Sequence, residues 1–191
     1  MIDTKNITGI ILAGGKSSRM RTDKGFLKLN NKLFIEHIID ALKPLVSTTI
    51  IVSNLKNYDV FGLQRIDDDI ENAGPLAGIY SGLKASKTEY NLVLSCDVPL
   101  INKRVLQQLL DAVENDIDIV QIESQGQQMP LIALYKKQCE SIFLKLLLND
   151  ERRLHKAVSV CNSKSIVINP EDDIYTTNIN TPEHLKNITL C

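Results

Sequence analysis

The residues with the plainest chemistry stand near the start of the chain, where the apolar run Ile7 to Leu12 ends in Ala13-Gly14-Gly15 and is followed by Lys16, Arg19, Arg21 and Lys24. Glycine has no Cβ and reaches positive φ at little cost, so the backbone NH groups of Gly14 and Gly15 can turn toward an anion. The cations behind them supply charge where a polyphosphate would lie. The plainer reading is a glycine turn with solvated lysines, but cations this dense directly after a buried strand exceed what solubility requires. A second candidate is Asp97, directly after the apolar run that contains Leu92-Val93-Leu94 and ahead of Val98-Pro99, which stiffen the turn. A carboxylate so placed can hold Mg²⁺ bridging phosphate oxygens. The same carboxylate could instead sit at the start of a helix from Asn102 onward and interact with its dipole.

Three weaker candidates follow the same logic. Asn54, after Ile50-Ile51-Val52-Ser53, offers a donor and an acceptor and so suits a base edge or a turn. In Asp67-Asp68-Asp69, Asp67 stands at the strand end, where an acceptor-only carboxylate can take a hydrogen bond from a ribose hydroxyl or base donor. A solvated acidic loop is the alternative. In Gly74-Pro75-Leu76-Ala77-Gly78-Ile79-Tyr80-Ser81-Gly82, proline fits a first helical position and the helix start has NH groups free for an anion or carbonyl. Tight packing of that helix on a sheet explains Gly78 and Gly82 equally well.

Two familiar phosphate loops are excluded by spacing. A Walker loop, G-x-x-x-x-G-K-[ST], needs glycine where Ile10 stands, and the G-x-G-x-x-G dinucleotide fingerprint is incompatible with adjacent glycines. What remains, L-A-G-G-x-x-x-R-M-x-x-D-K, resembles the signature of nucleotidyltransferases built on an open Rossmann-like sheet.

The elements that must position these residues are legible from periodicity. Short apolar runs at Ile7 to Ala13, Thr49 to Val52, Leu63 to Ile66, Asn91 to Cys96, Ile117 to Ile122, Leu131 to Tyr135 and Ser165 to Ile168 predict strands. Between them, Leu33-Ile35-Ile38-Ile39-Leu42 and Val105-Leu106-Leu109-Leu110-Val113 recur at helical spacing, with Pro44 helping to end the first. Ser141 to Leu148 predicts a short apolar helix, and Thr181-Pro182-Glu183 opens a closing one. Strands apolar throughout, alternating with helices, mark a mostly parallel sheet covered on both faces. The runs flanking Ser124-Gln125-Gly126-Gln127 predict an antiparallel element in the C-terminal half. The expected fold is therefore α/β, a Rossmann-like open, mostly parallel sheet, with residues 1–191 as a single domain. In such sheets ligands sit beyond the carboxyl ends of the strands, where every candidate above falls.

Composition narrows the partners. Lysine and arginine number 22 against 23 carboxylates, a net charge of −1, which argues against a nucleic-acid groove yet leaves room for a local nucleotide patch. The cysteines at 96, 139, 161 and 191 form no C-x-x-C pair, and the histidines at 37, 155 and 184 are scattered, so neither a zinc site nor a catalytic triad is readable. With no signal-like or membrane-spanning segment at the N-terminus, a cytoplasmic setting away from membranes is expected.

Four segments in order, Leu12-Ala13-Gly14-Gly15 with Arg19-Met20 and Asp23-Lys24-Gly25, Gly74-Pro75-Leu76-Ala77-Gly78, Cys96-Asp97-Val98-Pro99 and Asn178-Ile179-Asn180-Thr181-Pro182-Glu183, resemble the molybdenum cofactor guanylyltransferases. Glu151-Arg152-Arg153 adds to the likeness. The resemblance implies a nucleotide-diphospho-sugar transferase-like fold and transfer of GMP from GTP to the terminal phosphate of molybdopterin or Mo-molybdopterin, releasing pyrophosphate. It implies Leu12, Ala13, Gly14 and Gly15 for base and phosphates, Asn54 and Asp67 for the nucleoside, and Asp97 for Mg²⁺. Arg19 and Lys24, with Asp97, would stabilise the departing pyrophosphate. The pterin side would fall to Gly74 to Gly78, Arg152, Arg153 and Asn178 to Asn180. The chain departs from the pattern at Arg21, where glycine is frequent, and at Leu131, where threonine is usual. Transfer of CMP or synthesis of another nucleotide-linked alcohol phosphate remains open, as do a regulator without catalysis and docking to molybdoenzymes.

Overall fold

A computed structural model of the chain describes residues 2–14, 23–70 and 73–189. Among these, β1 (Ile7–Leu12), β4 (Thr48–Val52), β5 (Gln64–Ile66), β6 (Tyr90–Ser95), β7 (Ile119–Ser124), β8 (Gln127–Lys136) and β9 (Ser163–Val167) form one sheet in the order β5-β4-β1-β6-β8-β7-β9. Every adjacent pair is parallel except the two made by β8. The predicted mostly parallel sheet with an antiparallel element in the C-terminal half is thus the observed one. The chain leaves β1 for β4 and β5 on one side and crosses to β6 on the other, so a topological switch point lies beyond the carboxyl ends of β1, β4 and β6.

Both faces of the sheet are covered, which is why its strands are apolar throughout rather than alternating. Successive residues of β1 enter opposite layers. Ile7 and Ile11 join Ile35, Ile38 and Leu42 of α1 (Phe34–Leu42) and Val105, Leu106 and Leu109 of α3 (Lys103–Asp111). Ile10 joins Ile79 and Leu83 of α2 (Gly74–Ala85), Phe143 of α4 (Cys139–Leu148) and Ala157 of α5 (Leu154–Ser159). Helix α2 lies so close to the sheet that a Cβ at Gly82 would stand 2.6 Å from Ile10 Cγ2, so at Gly82 the packing explanation holds.

Three features departed from the periodicity reading. A hairpin of β2 (Lys28–Leu29) and β3 (Lys32–Leu33) precedes α1, turned by Asn30 and Asn31 at φ 50° and 64°. Helix α5 was not expected, and Leu33 precedes α1 rather than opening it. The hairpin at Ser124 to Gln127 is as expected, with Gln125 and Gly126 both at positive φ. Strand β8 is long because it carries a bulge: β7 pairs Gln121 with Ala133 but Ile122 with Met129, so Pro130, which has no NH to give, falls in the interruption. A final helix, α6, spans Pro182–Thr189. No helix of the described residues is long and apolar enough to cross a membrane.

Candidate active site

Backbone hydrogen bonds tie the carboxyl ends of β1, β4 and β6 together: Ala13 NH donates to Val52 O at 3.0 Å and Cys96 NH to Leu12 O at 3.0 Å. The chain then turns at Gly14, whose φ of +98° favours glycine and whose approach to Ser53 Oγ, 3.1 Å from where a Cβ would stand, leaves little room for a side chain. Over these ends opens a cavity of about 660 Å³, within the range of small-ligand sites. Its floor is Leu12, Ala13 and Gly14, and Asn54 and Ser95 come from the ends of β4 and β6. The start of α2 forms another wall through Gly74, Pro75 and Gly78, so the positive end of that helix borders the cavity. Gly78, unlike Gly82, stands at the cavity, where a Cβ would meet Leu12 at 3.2 Å and Asp68 Oδ1 at 3.3 Å. Leu131, released from the β7 ladder by the bulge, completes the wall.

The acidic triplet is resolved by its backbone. Asn54 Oδ1 accepts from Asp68 NH at 2.8 Å, which joins the loops after β4 and β5. Asp68 thereby lines the cavity, and its Oδ1 is buried with no hydrogen-bond partner among the described residues. Asp67 is not among the cavity residues; it is exposed and accepts from the Arg65 guanidinium at 2.5 Å, while Asp69 accepts from Lys84 at 2.6 Å. Burial raises the Asp68 carboxyl above the ordinary aspartate range, and the charges of Asp67 and Asp69 add to the shift. Nothing in the run of three identical residues distinguishes Asp68; only the turn does.

Outside the cavity lining, Lys24 Nζ donates to Asp97 Oδ2 at 3.0 Å and also to Asn180 Oδ1, joining three segments that are remote in sequence. Asp97 lies two residues beyond Ser95, and its carbonyl accepts from Ile179 NH at 2.8 Å. Its carboxylate does not cap the following helix, because Asn102 Oδ1 takes that role by accepting from Val105 NH at 3.0 Å. Asp97 Oδ1 is buried with no partner among the described residues. An unpaired carboxylate oxygen suits a hard cation, and since no group of three His, Cys, Asp or Glu side chains that could hold a metal occurs among the described residues, a cation there would take its other oxygens from water, carbonyl groups or a bound ligand. Cys96, next to this cluster, is an inert thiol: burial and the charge of Asp97 push its pKa up to about 12.

Gly15 and Arg19, with Lys16 and Arg21, lie outside the described residues. Arg153 is engaged with Glu151, through hydrogen bonds of 2.8 and 2.6 Å that hold the Glu151 carboxyl down at about 2, and Arg152 lies 3.7 Å from Asp150. The sequence singles out the acidic run but favours Asp67 in it and not Asp68; Leu131 and Asn178 to Asn180 enter only through the resemblance, and the contact of Asn180 with Lys24 has no local signal.

The chain matches the family model of the MobA-like NTP transferase domain over residues 9–164. It is 34% identical over 186 residues to a probable molybdenum cofactor guanylyltransferase of Flavobacterium johnsoniae, covering 97% of this chain and 98% of that one. It is 44% identical over 147 residues to a protein of the same name from Clostridium perfringens, covering 76% and 74%. The fold superposes with a TM-score of 0.81 on molybdopterin-guanine dinucleotide biosynthesis protein A of Archaeoglobus fulgidus, at 21% identity over 96% of this chain and 97% of that one. With the family model matched over residues 9–164 and the Flavobacterium johnsoniae protein related over nearly the whole length of both chains, the chain belongs to the molybdenum cofactor guanylyltransferases of the MobA-like NTP transferase family.

Proposed function

We propose that this chain, acting as one domain, transfers GMP from GTP to the terminal phosphate of molybdopterin and releases pyrophosphate. The observation that carries the reading is the Lys24–Asp97 pair, its carboxylate two residues along the chain from Ser95 of the cavity at the ends of β1, β4 and β6. In the reaction a phosphate oxygen of molybdopterin attacks the α-phosphorus of GTP, a new P–O bond forms, and the bond to the β-phosphate oxygen breaks with its electron pair leaving on pyrophosphate. The attacking phosphate is already ionised at neutral pH, so no histidine or serine base is required. The protein's task is to bring anions together and to stabilise charge on the leaving group.

In this reading the floor Leu12 to Gly14 takes the nucleotide, and Lys24 turns its ammonium to the phosphates. Arg19 and Gly15, by their place in the motif, extend the phosphate grip. Asp97 would hold Mg²⁺ through its unpaired Oδ1, and the ion would supply positive charge to offset that of the phosphates. Asp68, in place of Asp67, takes the nucleoside role. Guanine presents two adjacent donors, N1–H and the N2 amino group, and an acceptor-only carboxylate in the cavity wall, with its Oδ1 unpaired among the described residues, suits them. Asn54 supports that carboxylate through the Asp68 backbone. The free thiols at 96, 139 and 161 accord with a reducing, cytoplasmic setting. The test is pyrophosphate release from purified protein with Mg²⁺, molybdopterin and each of GTP, CTP, ATP and UTP. Release with GTP alone is the expected result, and a preference for CTP overturns the guanylyl assignment.

A further inference from the structure

Lysine carries its charge on a flexible four-carbon stem, so where the ammonium points depends on the backbone that launches it. Lys24 springs from a single 3-10 turn, Lys24–Phe26, which is too short to hold itself. The turn is held from outside. Asp23 stands at its N-cap, with its Oδ1 accepting from Gly25 NH at 3.1 Å and its carbonyl accepting from Phe26 NH at 3.1 Å. The same Oδ1 accepts from the Tyr58 hydroxyl at 2.6 Å. Tyr58 is fully buried, with its ring 4.9 Å from Phe26 and 6.1 Å from Phe61 between centroids. Its hydroxyl lies so near the turn that a Cβ on Gly25 would be 2.3 Å from it, which accounts for glycine following Lys24 at an ordinary φ.

A phenylalanine would fill that pocket as well. A phenol oxygen buried without a partner is costly, and here it has one acceptor, on the residue that caps the lysine's turn. Burial, followed by the nearby charges, raises the Tyr58 hydroxyl well above its ordinary pKa, so it stays a donor. We propose that Tyr58 is a positioning residue for nucleotidyl transfer: through Asp23 it locks the turn that aims Lys24 at Asp97, Asn180 and the phosphates. The proposal rests on the phosphate role of Lys24 given above.

The experiment is a double-mutant cycle of Tyr58→Phe and Lys24→Ala, reading kcat and KM for GTP, with thermal melting of each variant to set an assay temperature at which all are folded. Tyr58→Phe is expected to lower kcat roughly 5- to 30-fold, the scale of one buried hydrogen bond, with a smaller change in KM. In the Lys24→Ala background the same substitution is expected to cost less than about twofold, because the group it positions is gone. A merely structural tyrosine would give losses that multiply. Asp23→Ala breaks the contact from the other side and is expected to reproduce the loss, again without adding to Lys24→Ala. Full activity of Tyr58→Phe, or multiplying losses in the double variant, overturns the proposal. Full activity of Lys24→Ala instead overturns the phosphate role on which it rests, so the two failures are told apart.

Discussion

At the scale of single residues, the site rests on two carboxylates in unlike surroundings. Asp97 has one oxygen on Lys24 and the other buried with no partner among the described residues, so Asp97→Ala removes one anchor of the lysine and, on the function proposed above, the place for a cation. Turnover is expected to fall by roughly 10² or more, with the Mg²⁺ concentration for half-maximal rate rising, as measured by pyrophosphate release. Asp68 accepts no hydrogen bond from the described residues at its buried oxygen and is desolvated between two like charges. Asp68→Asn is expected to weaken GTP binding about 10- to 100-fold, the worth of a charge-assisted hydrogen bond, and to narrow the preference for GTP over ATP in calorimetric titrations. The pKa of Asp68 is raised on folding, so its carboxylate form opposes folding above the unfolded pKa and that cost is relieved as pH falls. Asp68→Asn is therefore expected to raise the melting temperature slightly at neutral pH while it impairs binding. For the same reason GTP affinity of the native protein should begin to fall, on acidification, at a higher pH than an ordinary aspartate would impose.

At the scale of elements, the two glycines of α2 have separate duties that their common residue type conceals. Gly82 sets the distance between helix and sheet, and even an added methyl group meets Ile10 at 2.6 Å. Gly82→Val should cost about 1–3 kcal/mol in denaturant unfolding through overpacking, with more loss if the helix shifts enough to disturb its N-terminal wall. Gly78 instead keeps space beside Asp68 and Leu12. Strand β8 shows how a sequence irregularity becomes a functional surface: Pro130 interrupts pairing with β7, and Leu131 then reaches the cavity. The hairpin ahead of α1 is equally specific, since two asparagines accept the left-handed conformation that a tight turn between short strands demands.

At the scale of the whole molecule, the C-terminal segment closes the site. Ile179 is fully buried against Leu29 and Phe34, its NH binds the carbonyl of Asp97, and the next residue, Asn180, receives Lys24. Ile179→Ala is expected to cost about 2–5 kcal/mol by leaving a cavity, measured by thermal or urea unfolding. It should also depress turnover at temperatures where the protein is folded, because the pair Lys24–Asp97 and its asparagine partner lose their common backing.

The strand-helix alternation, the parallel character of the sheet and the candidate phosphate turn were all legible in the chain, because they follow from local matters: short continuous apolar runs for doubly covered strands, a 3.6-residue apolar period for helices, glycines at a strand end, and prolines at helix starts. The resemblance of four motif segments in order was legible too. What the tertiary structure alone decided is which of several chemically equal residues face one another. Asp68 and not Asp67 lines the cavity because Asn54, from another strand, holds the Asp68 backbone. Lys24, Asp97 and Asn180 meet although up to 156 positions separate them, and Tyr58 reaches Asp23 across 35. Side-chain periodicity reports which face of an element is apolar. It carries no record of register between distant elements, which is set only when both layers of core pack against the same sheet.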